Sequence, residues 1–145
     1  RVPMIFRMPK QKAAGRTSNS LVEFVDIYPT LCDLAGLPVP DALEGLSAGP
    51  LLDQPDLPWK LAAFSQYPRS VAGKKLMGYS MRTDRYRFTR WENRQDPEEV
   101  VAIEIYDHAE DPAENVNIAN DSANRDLVKR LTRQYLRGWR GALPD

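Results

Sequence analysis

The chain has 145 residues with 20 basic and 20 acidic side chains, one histidine, one cysteine and no net charge. A chain this long can bury a real core and needs neither a disulfide nor a metal to fold as one domain. One cysteine and one histidine exclude an internal disulfide, a cysteine-rich zinc site and HExxH chemistry; the balanced charge makes no whole-molecule case for nucleic acid, and no apolar run nears the roughly 20 residues of a membrane span.

The chain opens Arg-Val-Pro-Met-Ile-Phe, without the Met and charged start of a signal peptide, as expected of a chain cut from a longer one. Val2 to Met8 is short, apolar and bounded by Pro9, which predicts a buried strand. Lys10 to Asn19 is a polar loop, and Ser20 to Val25 fits a short second strand. Asp26 is placed to N-cap a helix over 27–35, with Pro29 in its first turn. Ile27, Leu31, Leu34 and Ala35 give that helix an apolar stripe, and Gly36 and Pro38 stop it. Five prolines between 38 and 60 predict an irregular connector.

Ala62 to Tyr67 is a strand candidate. Lys75 to Trp91 predicts a hairpin turning near Thr83-Asp84, with Met77, Tyr79 and Met81 alternating with Leu76, Gly78, Ser80 and Arg82, and Tyr86 and Phe88 alternating with Arg85, Arg87 and Thr89. Val100 to Tyr106 is a further strand. A polar, turn-rich stretch over 107–122 follows. From about Ala123 a helix is predicted, with Leu127, Val128, Leu131, Tyr135 and Trp139 on one stripe and six basic residues around the rest. The fold class is α+β: residues 1–50 as the strand and helix remnant of a larger α/β domain, 51–63 as connector, and 64–145 as a small antiparallel-sheet subdomain packed by a C-terminal helix.

The charge is segregated. Residues 67–91 carry net +6, residues 92–121 net −9, and residues 122–145 net +4. Either folded neighbours neutralise one another, or the 67–91 stretch faces an anion. The basic helix is expected to be solvated or paired with the acidic stretch.

Four stretches resemble the C-terminal part of the sulfatase family, within the alkaline-phosphatase-like superfamily. They are Arg1-Val2-Pro3-Met4-Ile5-Phe6; Asp26-Ile27-Tyr28-Pro29-Thr30-Leu31 through Gly36-Leu37; Leu43-Glu44-Gly45-Leu46-Ser47 with Pro50-Leu51-Leu52; and Ile105-Tyr106-Asp107 through Asp111-Pro112-Ala113-Glu114-Asn115-Val116-Asn117-Ile118-Ala119. They stand in the family's order over most of the chain. Ser65-Gln66-Tyr67-Pro68-Arg69, Met77 to Thr83 and Tyr86 to Trp91 resemble the iduronate-2-sulfatase branch, which removes the 2-O-sulfate of iduronate in heparan and dermatan sulfate.

The resemblance implies a sulfuric ester hydrolase whose nucleophile is a formylglycine made in a C/S-x-P-x-R motif, with calcium at the sulfate. This sequence has no such motif. Formylglycine and calcium are therefore expected in an upstream part of the enzyme, which would be this chain's partner. No catalytic or metal-binding residue is assigned here, and the chain alone is expected to be inactive. Its expected contribution is a rim for a sulfated sugar, where guanidinium and ammonium groups meet carboxylate and sulfate. Gln66, Tyr67, Arg69, Lys74, Lys75 and Arg82 are the candidates, with Arg69 read as lying in a loop just after a strand. Cys32 reads as a small buried hydrophobe and His108 as a residue of a surface turn. The resemblance also implies a secreted, periplasmic or lysosomal setting. Two other readings stay open: a non-catalytic module binding sulfated glycans, and a fragment of an arylsulfatase or choline-sulfatase-like enzyme.

Overall fold

The structure is a computed structural model and describes residues 2–144. Arg1, which opens the first family-like stretch, and Asp145, which closes the predicted subdomain, lie outside the described residues. The chain divides between Lys60 and Leu61 into two compact units. Residues 51–60 of the predicted connector thus belong with the first unit.

The first unit contains no strand among its described residues. The strands expected at Val2 to Met8 and Ser20 to Val25 are irregular backbone and, at Phe24–Asp26, a 3-10 turn. A strand exists only against a ladder partner, and this unit offers none. Ile5 is 90% exposed, so the first stretch is not buried either. Helix α1 spans Ile27–Leu34. Its buried side is Pro29, Thr30 and Cys32, whereas Tyr28 and Leu31 stay 56% and 51% exposed. The predicted stripe through Leu31 is therefore not the one that packs. Gly36, at φ +68°, ends the helix, and the Leu37 N–H reaches back to the Cys32 carbonyl at 2.9 Å. A short helix α2 follows at Gly49–Asp53.

Asp26 occupies the N-cap position of α1 but does not cap it with its side chain. Its carboxylate is buried and accepts from the backbone N–H of Glu23 and of Leu46, both at 2.8 Å. The Lys60 ammonium donates to both its oxygens at 2.7 and 2.9 Å and to Glu23 at 2.7 Å. Only 3% of the Lys60 side chain is exposed.

The second unit is a four-stranded antiparallel sheet in the order β1-β2-β3-β4: β1 Ala63–Val71, β2 Lys74–Arg82, β3 Tyr86–Asn93 and β4 Asp96–Asp107. Ala72 and Gly73 close the β1–β2 hairpin, both at positive φ, in the two-residue turn that matches strand twist. Pro68 sits inside β1, which is an edge strand, so its missing N–H breaks no central ladder. Arg69 therefore lies within a strand, paired with Leu76, and not in the loop expected of it.

Phe64, Met81, Phe88 and Ile105 stand in one row across the sheet and point to the core. Helix α3, Arg125–Leu136, covers them with Leu127, Val128, Leu131 and Tyr135. The Phe88 and Tyr135 rings are 5.4 Å apart. A 3-10 turn at Ser122–Asn124 precedes α3, with the Asp121 carboxylate accepting from the Ala123 N–H at 2.9 Å. Trp139 is not on the stripe: Gly138 ends the helical path at φ +65°, and Trp139 opens a 3-10 turn.

Replacing Lys60 with Ala is predicted to cost about 3–5 kcal/mol, because two carboxylates would remain buried without their cation. Hydrogen exchange at the α1 amides, with those of β3 as the unaffected reference, measures it. Unchanged α1 protection would show that the buried pair does not hold this unit.

Candidate functional site

Strand pleating divides the sheet into two faces. With Phe64, Met81, Phe88 and Ile105 inward, the outer face carries Arg82, Arg87 and Tyr106 in one row, Ser65, Ser80, Thr89 and Glu104 in the next, Tyr67, Gly78, Trp91 and Ala102 in a third, and Arg69, Leu76 and Asn93 in a fourth. The middle rows line a hollow of about 200 Å³, with Gln66 at its border.

Gly78 shapes that hollow. A Cβ there would stand 2.7 Å from the Trp91 ring. The missing side chain lets the indole lie across β2, where the Arg69 guanidinium packs over it at 5.6 Å from the ring centre. Arg69 forms no ion pair among the described residues. The hydroxyls of Ser80 and Thr89 meet at 3.0 Å on the floor of the trough. Beside them Arg87 packs on the Tyr106 ring at 5.7 Å and is ion-paired with Glu114, which also meets His108 Nε2 at 2.5 Å. Burial, and then the Glu104 carboxylate, push the Tyr106 phenol upward. His108 lies in a turn, as expected, with its side chain 16% exposed and tied to Glu114.

The six predicted residues do not converge. Tyr67 and Arg69 share the outer face; Tyr67 lines the hollow, and Arg69 stands two residues further along β1. Lys74 is on the same face beside the hairpin turn, paired with Glu99 at 2.7 Å. Gln66 and Lys75 alternate to the opposite face. Arg82 pairs across from Ala63, six positions along β1 from Arg69, or about 20 Å away. Its guanidinium donates to the carbonyls of Thr83 and Tyr86 and secures the β2–β3 turn. Trp91, Ser80, Thr89, Arg87 and Glu104 were missed as a group. Their signal was the alternation of the hairpin itself, which puts Gly78, Ser80 and Arg82 on one face with Arg87 and Thr89.

Part of the segregated charge resolves into pairs. Glu92 meets Arg90 at 2.8 Å, Glu99 meets Lys74, Asp107 grips Arg85 through two bonds at 2.6 and 2.8 Å, and Glu114 meets Arg87. The Arg85 guanidinium, helped by the Ala109 N–H, holds the Asp107 carboxyl below the usual carboxylate range. Among the described residues no group of three or more His, Cys, Asp or Glu side chains could hold a metal ion.

The sequence model of N-sulphoglucosamine sulphohydrolase, C-terminal, matches residues 1–139. The chain is 37% identical over 157 aligned positions to iduronate 2-sulfatase of Mus musculus, covering 81% of this chain and 28% of that protein. It is 33% identical to N-acetylglucosamine-6-O-sulfatase of Bacteroides thetaiotaomicron, covering 81% of this chain and 21% of that protein. A solved structure in complex with its substrate D-glucosamine-2-N,6-O-disulfate superposes with a TM-score of 0.65 at 27% identity, over 81% of this chain and 24% of that one. The chain thus spans about a quarter of the length of the proteins it matches.

Two outcomes are predicted. Because the folded Asp107 carboxyl titrates below its unfolded value near 3.9, its contribution to stability is full above that value and lost as pH falls through the depressed one. The gap in urea midpoint between wild type and Arg85→Gln should be widest near pH 7 and close as pH falls through the depressed value; a gap constant with pH would remove Asp107 as the cause. Gly78→Ala should displace the indole from Arg69, seen as a changed Trp91 fluorescence maximum, with Trp59 and Trp139 each replaced by Phe; an unmoved maximum would mean the ring has room to yield.

Proposed function

The chain belongs to the sulfatase C-terminal domain family, and from that premise we propose that it is the part of a sulfuric ester hydrolase that borders the substrate. The enzyme would act on a 2-O-sulfated uronate of a glycosaminoglycan. The nucleophile, formylglycine, and calcium would come from an upstream part of the same enzyme. That part would cover the apolar face left exposed at Phe24, Tyr28 and Leu31, a helical spacing that invites a packed neighbour.

One observation carries the substrate reading. Arg69 is held by a neutral aromatic surface, while most of the surrounding sheet cations are paired with carboxylates. Stacking uses the face of the guanidinium and leaves its N–H edge available for two parallel bonds to a carboxylate. Tyr67 beside it, 69% exposed, presents ring area to the apolar side of a sugar, and the Ser80 and Thr89 hydroxyls match its hydroxyl groups.

The test uses the complete enzyme. A bidentate contact of Arg69 with the uronate carboxylate is worth roughly 1.5–3 kcal/mol. Arg69→Ala is then expected to lower kcat/KM by roughly ten- to a hundred-fold on a uronate 2-sulfate and little on a small aryl sulfate. Lysine at this position should recover part of the loss. A matching loss on glucosamine 6-sulfate would favour an amino-sugar substrate instead. Equal losses on all substrates would place Arg69 in folding, and no loss on any would make it a solvated charge.

A further inference from the structure

Helix α3 carries charge that the fold does not neutralise. The acidic stretch 92–121, which the sequence offers as its partner, forms its ion pairs with cations of the sheet. Among the described residues, only Lys129 of the α3 cations has an acidic partner, Asp126, at 3.5 Å and with both side chains largely in water. Arg125, Arg133 and Arg137 have no ion pair or hydrogen bond from their side chains among the described residues. Arg130 and Arg140 stack on the rings of Tyr86 and Trp139, at 5.5 and 4.2 Å, which holds their planes and leaves their charge in place. All of these cations are exposed.

Their spacing is regular. Arg125, Lys129, Arg133 and Arg137 recur every fourth residue, so the row advances about 6 Å per cation and spans about 18 Å. It runs along one flank of the helix, opposite the side that Leu127, Val128, Leu131 and Tyr135 bury in the core. Such a row suits an extended anion whose charges repeat along its length. Three of the four cations are arginines, which bind sulfate and carboxylate through paired hydrogen bonds.

The other polyanions fit less well. A membrane-surface helix needs an apolar face to insert, and that face is already taken by the sheet. Single-stranded nucleic acid needs aromatic platforms for its bases, and the row carries none. We propose that the outer face of α3 is an exosite for a sulfated glycan chain. Because α3 covers the inward face of the sheet, the exosite lies on the far side from the hollow beside Arg69. It would hold a stretch of glycan other than the sugar unit whose ester is cleaved. The choice of partner rests on the sulfated-sugar reading above, but binding here needs no hydrolysis, so the two can fail separately.

Heparin binding by the 145-residue chain over a salt series tests it. Four solvent-facing substitutions, R125Q, K129Q, R133Q and R137Q, are expected to leave the far-ultraviolet spectrum unchanged. Together they should weaken heparin binding at least about tenfold at 0.15 M salt and reduce the log–log salt slope by about three, at roughly 0.7 per lost contact. R125K, R133K and R137K combined should keep the slope. If the fourfold variant unfolds, R125E with R133E takes its place with the same readouts. Equal heparin affinity of wild type and variant would overturn the proposal. So would binding of single-stranded DNA of matched charge as tightly as heparin, which would mark a general polyanion surface.

Discussion

The row Phe64, Met81, Phe88 and Ile105 decides everything else about the sheet. Met81, Phe88 and Ile105 are fully buried, as are Ala62 beside them and Leu131 above. Burial of each large side chain contributes about 1.5–3 kcal/mol, so the register of all three strand pairs is fixed by one line of contacts. A slip of one residue would turn Tyr79, Thr89 and Glu104 inward or outward against their chemistry. The outer face is therefore not chosen residue by residue. Once the row is seated, Tyr67, Arg69, Ser80, Thr89, Trp91 and Glu104 must share one surface. Gly78 then sets its relief, because only its missing side chain lets an indole from β3 reach a guanidinium on β1.

The first unit is organised by polar atoms. Asp26 is buried, and its two oxygens serve two backbone N–H groups and one ammonium. Its own carbonyl accepts the Thr30 hydroxyl at 2.5 Å, and that hydroxyl accepts from the Ala48 N–H at 2.8 Å. Gly45 lies against the Val25 carbonyl, where a Cβ would come within 1.9 Å. Thus the D-x-Y-P-T stretch and the L-E-G stretch are one device: the first supplies the acceptors and the second supplies the donors at Leu46 and Ala48, with a glycine that lets the two backbones approach. Buried groups that lost one of these partners would retain the desolvation cost without the bond.

How much of this was legible follows from where the determining contacts lie. The β2–β3 hairpin and α3 were readable because their signals are local: period two with aromatics, and period three to four with leucines. The β1–β2 hairpin was only half readable. Pro68 reads as a strand breaker, and nothing local says that β1 lies at an edge where proline is harmless. The strands expected in the first fifty residues failed for the complementary reason: an apolar run specifies a strand only together with a neighbour. At the site, Tyr67 and Arg69 were singled out by the resemblance of the 65–69 stretch and by the basic charge around it, although Arg69 was expected in a loop and stands in β1. Trp91 could not be joined to Arg69, because that contact crosses an intervening strand and depends on the absence of a side chain. Lys60 was invisible, since one lysine in a proline-rich connector gives no sign of being buried.

Strand order also explains which cations remain open to an anion. The acidic stretch includes β4, and β4 is the edge opposite β1. Neighbouring strands stand about 4.8 Å apart, so Arg87 and Arg90 on β3 meet acids on their own or adjoining segments, and the long Lys74 side chain reaches Glu99 beyond them. From Arg69 to β4 the separation is three strand spacings, or about 14 Å, beyond the reach of any carboxylate there. Between them stands Trp91, which fixes the guanidinium through its ring face without cancelling its charge. An arginine held by a carboxylate must first give up that partner to take another anion, at a cost that offsets much of the gain. An arginine held by an indole gives up only water. The same segregation of charge that neutralises the middle of the sheet therefore leaves a positioned, unneutralised guanidinium at its first strand.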